Sequence, residues 1–139
     1  MTTEMPKQIP HPRPKPNQDS APWWEGKRNH ELLVQECQSC KKLTHPPQPM
    51  CPHCRSMDSK GWRKCSGKGK LYSWTVIHRP YYPYFIDKVP YAMVVAEMEE
   101  GFRIVGKYEG ALDQLRDGLP VEAGFVDMEE YSFLQFHPV

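Results

Sequence analysis

Beyond residue 66 the hydrophobic positions recur with the short period of β-strands. The segment LYSWTVIHR (71–79) is rich in β-branched and aromatic residues in rough alternation. YAMVVAEM (91–98) and FRIVGKY (102–108) flank Glu99-Glu100-Gly101, which predicts a tight hairpin. ALDQLRDG (111–118) predicts one helical turn closed by Gly118. PVEAGFVDM (120–128) and SFLQFHP (132–138) predict two further strands. Five short strands with a brief helical insert fit a small Greek-key barrel of the OB type.

The front of the chain has a different pattern. Residues 1–22 carry Pro6, Pro10, Pro12, Pro14, Pro16 and Pro22 and few apolar positions. Proline lacks a backbone donor and fixes φ, so an extended, flexible arm is expected, able to order on a partner. Residues 22–36, PWWEGKRNHELLVQE, predict the start of a short helix with Trp23, Trp24, Leu32, Leu33 and Val34 as its apolar members. Two adjacent tryptophans are costly to leave in water, so they pack on this chain's own core or on a partner. The expected organisation is an arm (1–22), a helix with a cysteine module (23–66) and a barrel (67–139), mainly β overall.

That module holds Cys37-Gln38-Ser39-Cys40 and Cys51-Pro52-His53-Cys54, two CxxC pairs separated by ten residues. Each pair can form a tight knuckle with backbone N–H groups aimed at thiolates. Two facing knuckles give tetrahedral S₄ coordination, the preference of Zn²⁺, with rubredoxin-type iron as the rival metal. Four thiolates leave no position for water, so the metal is expected to be structural. His53, inside the second knuckle, is read as a surface residue. Cys65, the odd cysteine, is read as a half-buried thiol at a strand end, since a nucleophile needs a base beside it.

A ribbon of this size buries little core, and a bound metal supplies the missing folding energy. The 139-residue chain has a formal net charge of +1. Its halves differ: residues 67–139 hold seven Lys/Arg against eleven Asp/Glu, a net of −4. An acidic barrel is a poor binder of phosphate backbones. The first residues contain no apolar stretch suited to a secretory signal, and no run is long enough to span a bilayer, so a cytoplasmic location is expected. No Walker loop, dinucleotide fingerprint or nucleophile–base pair is recognisable.

Between two predicted strands lies His78-Arg79-Pro80-Tyr81-Tyr82-Pro83-Tyr84-Phe85-Ile86-Asp87-Lys88. The rings of Tyr81, Tyr82, Tyr84 and Phe85 either cap the barrel mouth or form a partner interface, where aromatic residues are enriched. Arg79 and Lys88 are candidate contacts for a coenzyme A phosphate, set against a plain surface role.

The order of these motifs resembles a known family. The ribbon ECQSCKKLTHPPQPMCPHC, the Gly-x-Gly followed by Tyr-Ser-Trp-Thr, the Val-Pro-Tyr and the Gly-x-Pro-Val are similar to those of zinc-ribbon/OB-fold accessory proteins of acyl-CoA metabolism. The likeness covers residues 23–138. Lys41 and Gln48 stand where that family often has Gly and Arg. The resemblance implies a non-catalytic small subunit, bound to a thiolase-like enzyme, with the partner carrying the catalytic residues. A degradative thiolase such as that of the benzylsuccinyl-CoA route is one such partner; an acyl-CoA hydratase or an aldolase is another. It also implies structural zinc and a barrel that helps hold an acyl-CoA thioester. Competing classes are a single-stranded nucleic-acid-binding module and a rubredoxin-type electron carrier.

Overall fold

A computed structural model describes residues 10–139. Regular structure begins with α1 (Ala21–Arg28), which has Pro22 in its first turn, where a missing N–H costs nothing. The helix stops at Asn29, and His30 takes a left-handed φ of 58°. The chain then reverses into β1 (Leu33–Cys37). The short helix expected at the start of residues 22–36 is α1, and Leu33 and Val34 fall on the strand that follows it. Gly26 explains the reversal: a Cβ there would lie 2.8 Å from the Leu33 side chain, so only glycine lets the returning strand pass so close to α1.

β1 is the centre of a three-stranded antiparallel sheet, between β2 (Leu43–Thr44) and β3 (Lys60–Lys64). The barrel follows: β4 (Lys68–Ile77), β5 (Tyr91–Met98), β6 (Arg103–Tyr108), β7 (Pro120–Asp127) and β8 (Ser132–Pro138). Their order around the closed barrel is β4-β5-β6-β8-β7. All neighbours are antiparallel except β6 and β8, whose short parallel contact joins Lys107 to Gln135 and Tyr108 to Phe136. This is the five-stranded OB topology. A 3₁₀ turn over Leu112–Gln114 and a left-handed Gly118 stand where a helical turn was expected.

β5 alternates without exception, burying Ala92, Val94, Ala96 and Met98. Leu71, Ile104, Val121, Leu134 and Phe136 complete the inner layer. Leu32 and Val34, from the ribbon side, belong to the same apolar cluster. Ribbon and barrel thus share one core, and each buried aliphatic side chain adds roughly 1.5–3 kcal/mol. Cys65 sits in this cluster directly after β3; burial pushes its thiol up to about 12, the state of an inert packing residue.

Candidate metal centre and aromatic groove

The two knuckles are near copies. In the first, the Cys37 N–H donates to the Lys42 carbonyl (3.0 Å) and the Lys41 N–H to the Cys37 carbonyl (2.8 Å). In the second, the Cys51 N–H donates to the Ser56 carbonyl and the Arg55 N–H to the Cys51 carbonyl, both at 2.9 Å. Lys41 and Arg55, each following a second cysteine, have φ of 63° and 65°. Holding a non-glycine residue there costs about 1–2 kcal/mol, so the knuckles are kept by what they surround.

The backbone N–H groups of Cys40 and Ser39 point at the Cys37 sulfur and lower its pKa. Those of Cys54 and His53 draw the Cys51 thiol down to about 6. At Cys40 the Lys42 amide acts in the same direction, but burial and the neighbouring thiols carry it up to about 11. All four sulfurs lie within 4.8 Å of one another. The Cys37–Cys54 and Cys40–Cys51 separations are 3.6 and 3.7 Å. A tetrahedron with Zn–S bonds of about 2.3 Å has edges of about 3.8 Å, so these two separations match those of a zinc-bound S₄ set. Cys37, Cys40, Cys51 and Cys54 would hold the ion and leave no open position, which makes its contribution one of folding. His53 stays outside, its Nε2 3.3 Å from the Leu43 carbonyl.

The second feature is a groove of about 840 Å³. Its walls come from the arm (Pro10–Arg13), the loop after β4 and the β7–β8 turn. The His11 ring packs on Tyr84 (4.8 Å), Phe85 (5.8 Å) and Phe133 (4.4 Å). Phe85 also meets Tyr91 at 5.5 Å. Tyr84 and Phe85 are half-buried, whereas Tyr81 is 85% exposed and Tyr82 40%. The aromatic loop therefore divides: one pair folds back on its own chain, the other faces outward. Sequence reasoning missed His11 and Phe133, because nothing in a proline-rich arm signals which histidine finds an aromatic cradle.

Lys88 is occupied. Its Nζ lies 4.0 Å above the Tyr84 ring and 3.3 Å from Asp87. Arg79 is exposed and, among the described residues, takes part in no ion pair. Trp23 and Trp24 meet edge to face at 5.1 Å, Trp24 also touching Tyr131 and Phe133. Both rings enclose the Lys27 amine, at 3.4 and 3.3 Å from the ring centres. Lys27 is only 2% exposed, and it follows the two tryptophans by four and three residues, the helical spacing that puts its amine beside both rings. Arg28 then fastens the helix to the barrel by donating to the carbonyls of Met128 (2.8 Å) and Glu129 (3.0 Å).

A four-cysteine ribbon packed on a five-stranded Greek-key barrel defines a zinc-ribbon/OB-fold protein. Residues 24–58 match the family described as the ChsH2 rubredoxin-like zinc ribbon domain, and residues 62–126 match the ChsH2 C-terminal OB-fold domain. A DUF35 domain-containing scaffold protein of Methanocaldococcus jannaschii is 33% identical over 110 residues, 78% of this chain and 77% of that one. The chain belongs to this ChsH2/DUF35 family. A probable enoyl-CoA hydratase alpha subunit of Thermomonospora curvata is 38% identical over 141 residues, 99% of this chain and 42% of that one. The chain spans about two fifths of the length of the curated hydratase subunits it matches. A solved structure titled Ltp2-ChsH2(DUF35) aldolase contains a chain that superposes with a TM-score of 0.83 at 38% identity, over 91% of this chain and 98% of that one. Among the described residues no helix is long and apolar enough to cross a membrane.

Proposed function

We propose that this protein is a non-catalytic accessory subunit of a hetero-oligomeric enzyme acting on acyl-CoA thioesters. The observation that carries the reading is the match, over 91% of this chain and 98% of that one, to a chain of the structure titled Ltp2-ChsH2(DUF35) aldolase. Zinc fixes the ribbon. Residues 23–66 and 67–139, joined through one core, act as a single docking body, and the partner carries the catalytic residues.

The outward face of the loop, Tyr81 and Tyr82, is the contact we assign to the partner. Amphipathic rings exposed on a firm base suit such a contact. Trp23, Trp24, Tyr84 and Phe85, half-buried within the chain, are assigned to the rim of that contact. Of the two candidate CoA contacts, Arg79 is free to meet a phosphate, whereas Lys88 is already held by Asp87 and Tyr84. The thiolase-like partner follows from the motif resemblance. An aldolase or hydratase partner is favoured by the names of the relatives. Purification of the native protein from its own cells, with retained chains identified by mass, decides between them. Recovery of an acyl-CoA lyase, hydratase or thiolase chain in fixed ratio supports the accessory role; recovery of nucleic acid or of no enzyme removes it.

A further inference from the structure

β4 pairs with its two neighbours unequally. Its ladder with β5 runs to Ile77, but its ladder with β7 ends at Lys70. Leu71 still exchanges backbone bonds with Gly118 and Leu119 on that side. At Tyr72 the strand bulges. From Tyr72 to Ile77 the edge turned away from β5 has no backbone partner among the described residues.

Apart from the bulge at Tyr72, this edge lacks the protection natural sheets give to exposed edges. The stretch Tyr72-Ser73-Trp74-Thr75-Val76-Ile77 has no charge, no proline and no glycine. It is uniformly β-branched, aromatic or small and polar, and is six residues long. Tyr72, Ser73, Trp74 and Thr75 are all exposed, with Arg103 3.6 Å above the Tyr72 ring, while Val76 and Ile77 are half-buried and Val76 packs on the core. A naked edge of that composition is a template for another strand and an aggregation hazard when left open. Its free donors and acceptors repeat at strand spacing, and an added strand matches them all at once.

A second copy of the chain is a poor occupant. Full antiparallel overlap of Tyr72–Ile77 with itself sets Tyr72 opposite Ile77 and therefore Lys70 opposite Arg79. Both are exposed, and among the described residues neither takes part in an ion pair. Like charges placed directly opposite destabilise a strand pair. The edge calls instead for an uncharged, extended segment with acidic residues at its ends. Tyr81 and Tyr82 lie just beyond Arg79, so such a segment continues the face already assigned to the partner.

We infer that the open edge of β4, Tyr72–Ile77, receives an extended strand from the catalytic subunit by β-augmentation, with the cationic ends Lys70 and Arg79 selecting a strand of acidic flanks. The inference rests on the accessory reading. The test is amide hydrogen exchange of the co-purified complex and of the isolated chain at equal concentration. Alternate amides between residues 72 and 77 are expected to slow at least tenfold in the complex. The double variant Ser73→Lys/Thr75→Lys is expected to weaken the complex at least tenfold, while zinc content and melting temperature of the isolated chain stay unchanged. Equal exchange in both states, with the complex intact, overturns the strand-addition idea and leaves the accessory role standing. Protection in the isolated chain together with a dimeric mass overturns it in favour of self-pairing. If no catalytic chain co-purifies at all, the accessory reading falls and this inference with it.

Discussion

Gln35 and Gln48 clasp one another across the ribbon. The Gln48 backbone N–H donates to the Gln35 side-chain oxygen at 2.7 Å, and the Gln35 side-chain NH₂ donates to the Gln48 carbonyl at 2.9 Å. Gln35 is 6% exposed on β1, so the proline-rich connection between the knuckles is tied to the sheet by a buried amide that mimics a backbone pair. Gln35→Leu leaves both backbone groups of Gln48 without partners. A loss of about 1–3 kcal/mol is expected, read as a lower urea midpoint.

Metal removal tests the cage directly. One zinc per chain is expected by elemental analysis, with no visible absorbance of the kind iron gives. Cys40→Ser is expected to lose the metal and to unfold the ribbon, since structural zinc supplies folding energy that residues 33–64 lack on their own. Retained zinc with a native melting curve would count against the four-cysteine assignment.

Lys27 should give the stability of the protein a pH dependence. Burial lowers its amine from 10.5 to about 7, while the indole rings of Trp23 and Trp24 favour the charged form and oppose part of that fall. With the folded value below the unfolded one, the unfolded chain holds the extra proton between pH 7 and 10.5. Stability therefore falls as pH drops through this window. Denaturant midpoints measured from pH 7 to 10 are expected to rise with pH, and Lys27→Met is expected to flatten the rise. His45, lowered to about 4 by burial and then by the Lys27 charge, stays neutral throughout.

Gly106 leaves no room for a side chain inside the barrel. A Cβ there would stand 2.8 Å from the ring of Phe136, which is fully buried and cannot turn away. Gly106→Ala is expected to cost about 1–3 kcal/mol by overpacking, seen as a lower melting temperature with zinc retained.

Tyr81→Ala with Tyr82→Ala probes the assigned interface. Both rings are exposed, so the melting temperature of the isolated chain is expected to stay within about a degree, the small effect typical of surface changes. Affinity for the catalytic subunit is expected to fall by at least tenfold, about 1.4 kcal/mol. Unchanged affinity would return the loop to a role in capping the barrel.

The sequence alone determined the cysteine cage and the strand plan of the barrel. Both are local signals: a knuckle is closed within six residues, and a strand buried on one face writes its period directly into the chain. β5 and β8 fall at the boundaries their patterns predict, Tyr91–Met98 and Ser132–Pro138. The tertiary structure decided what depends on distant partners. Leu32 and Val34 look as suited to a helix as to a strand until β3 pairs with β1 across the knuckles. His11 among three rings and the open edge of β4 depend on how distant segments close the barrel, and no spacing along the chain encodes them; Lys27 meets Trp23 and Trp24 at helical spacing within α1, and only its burial is decided by the tertiary structure.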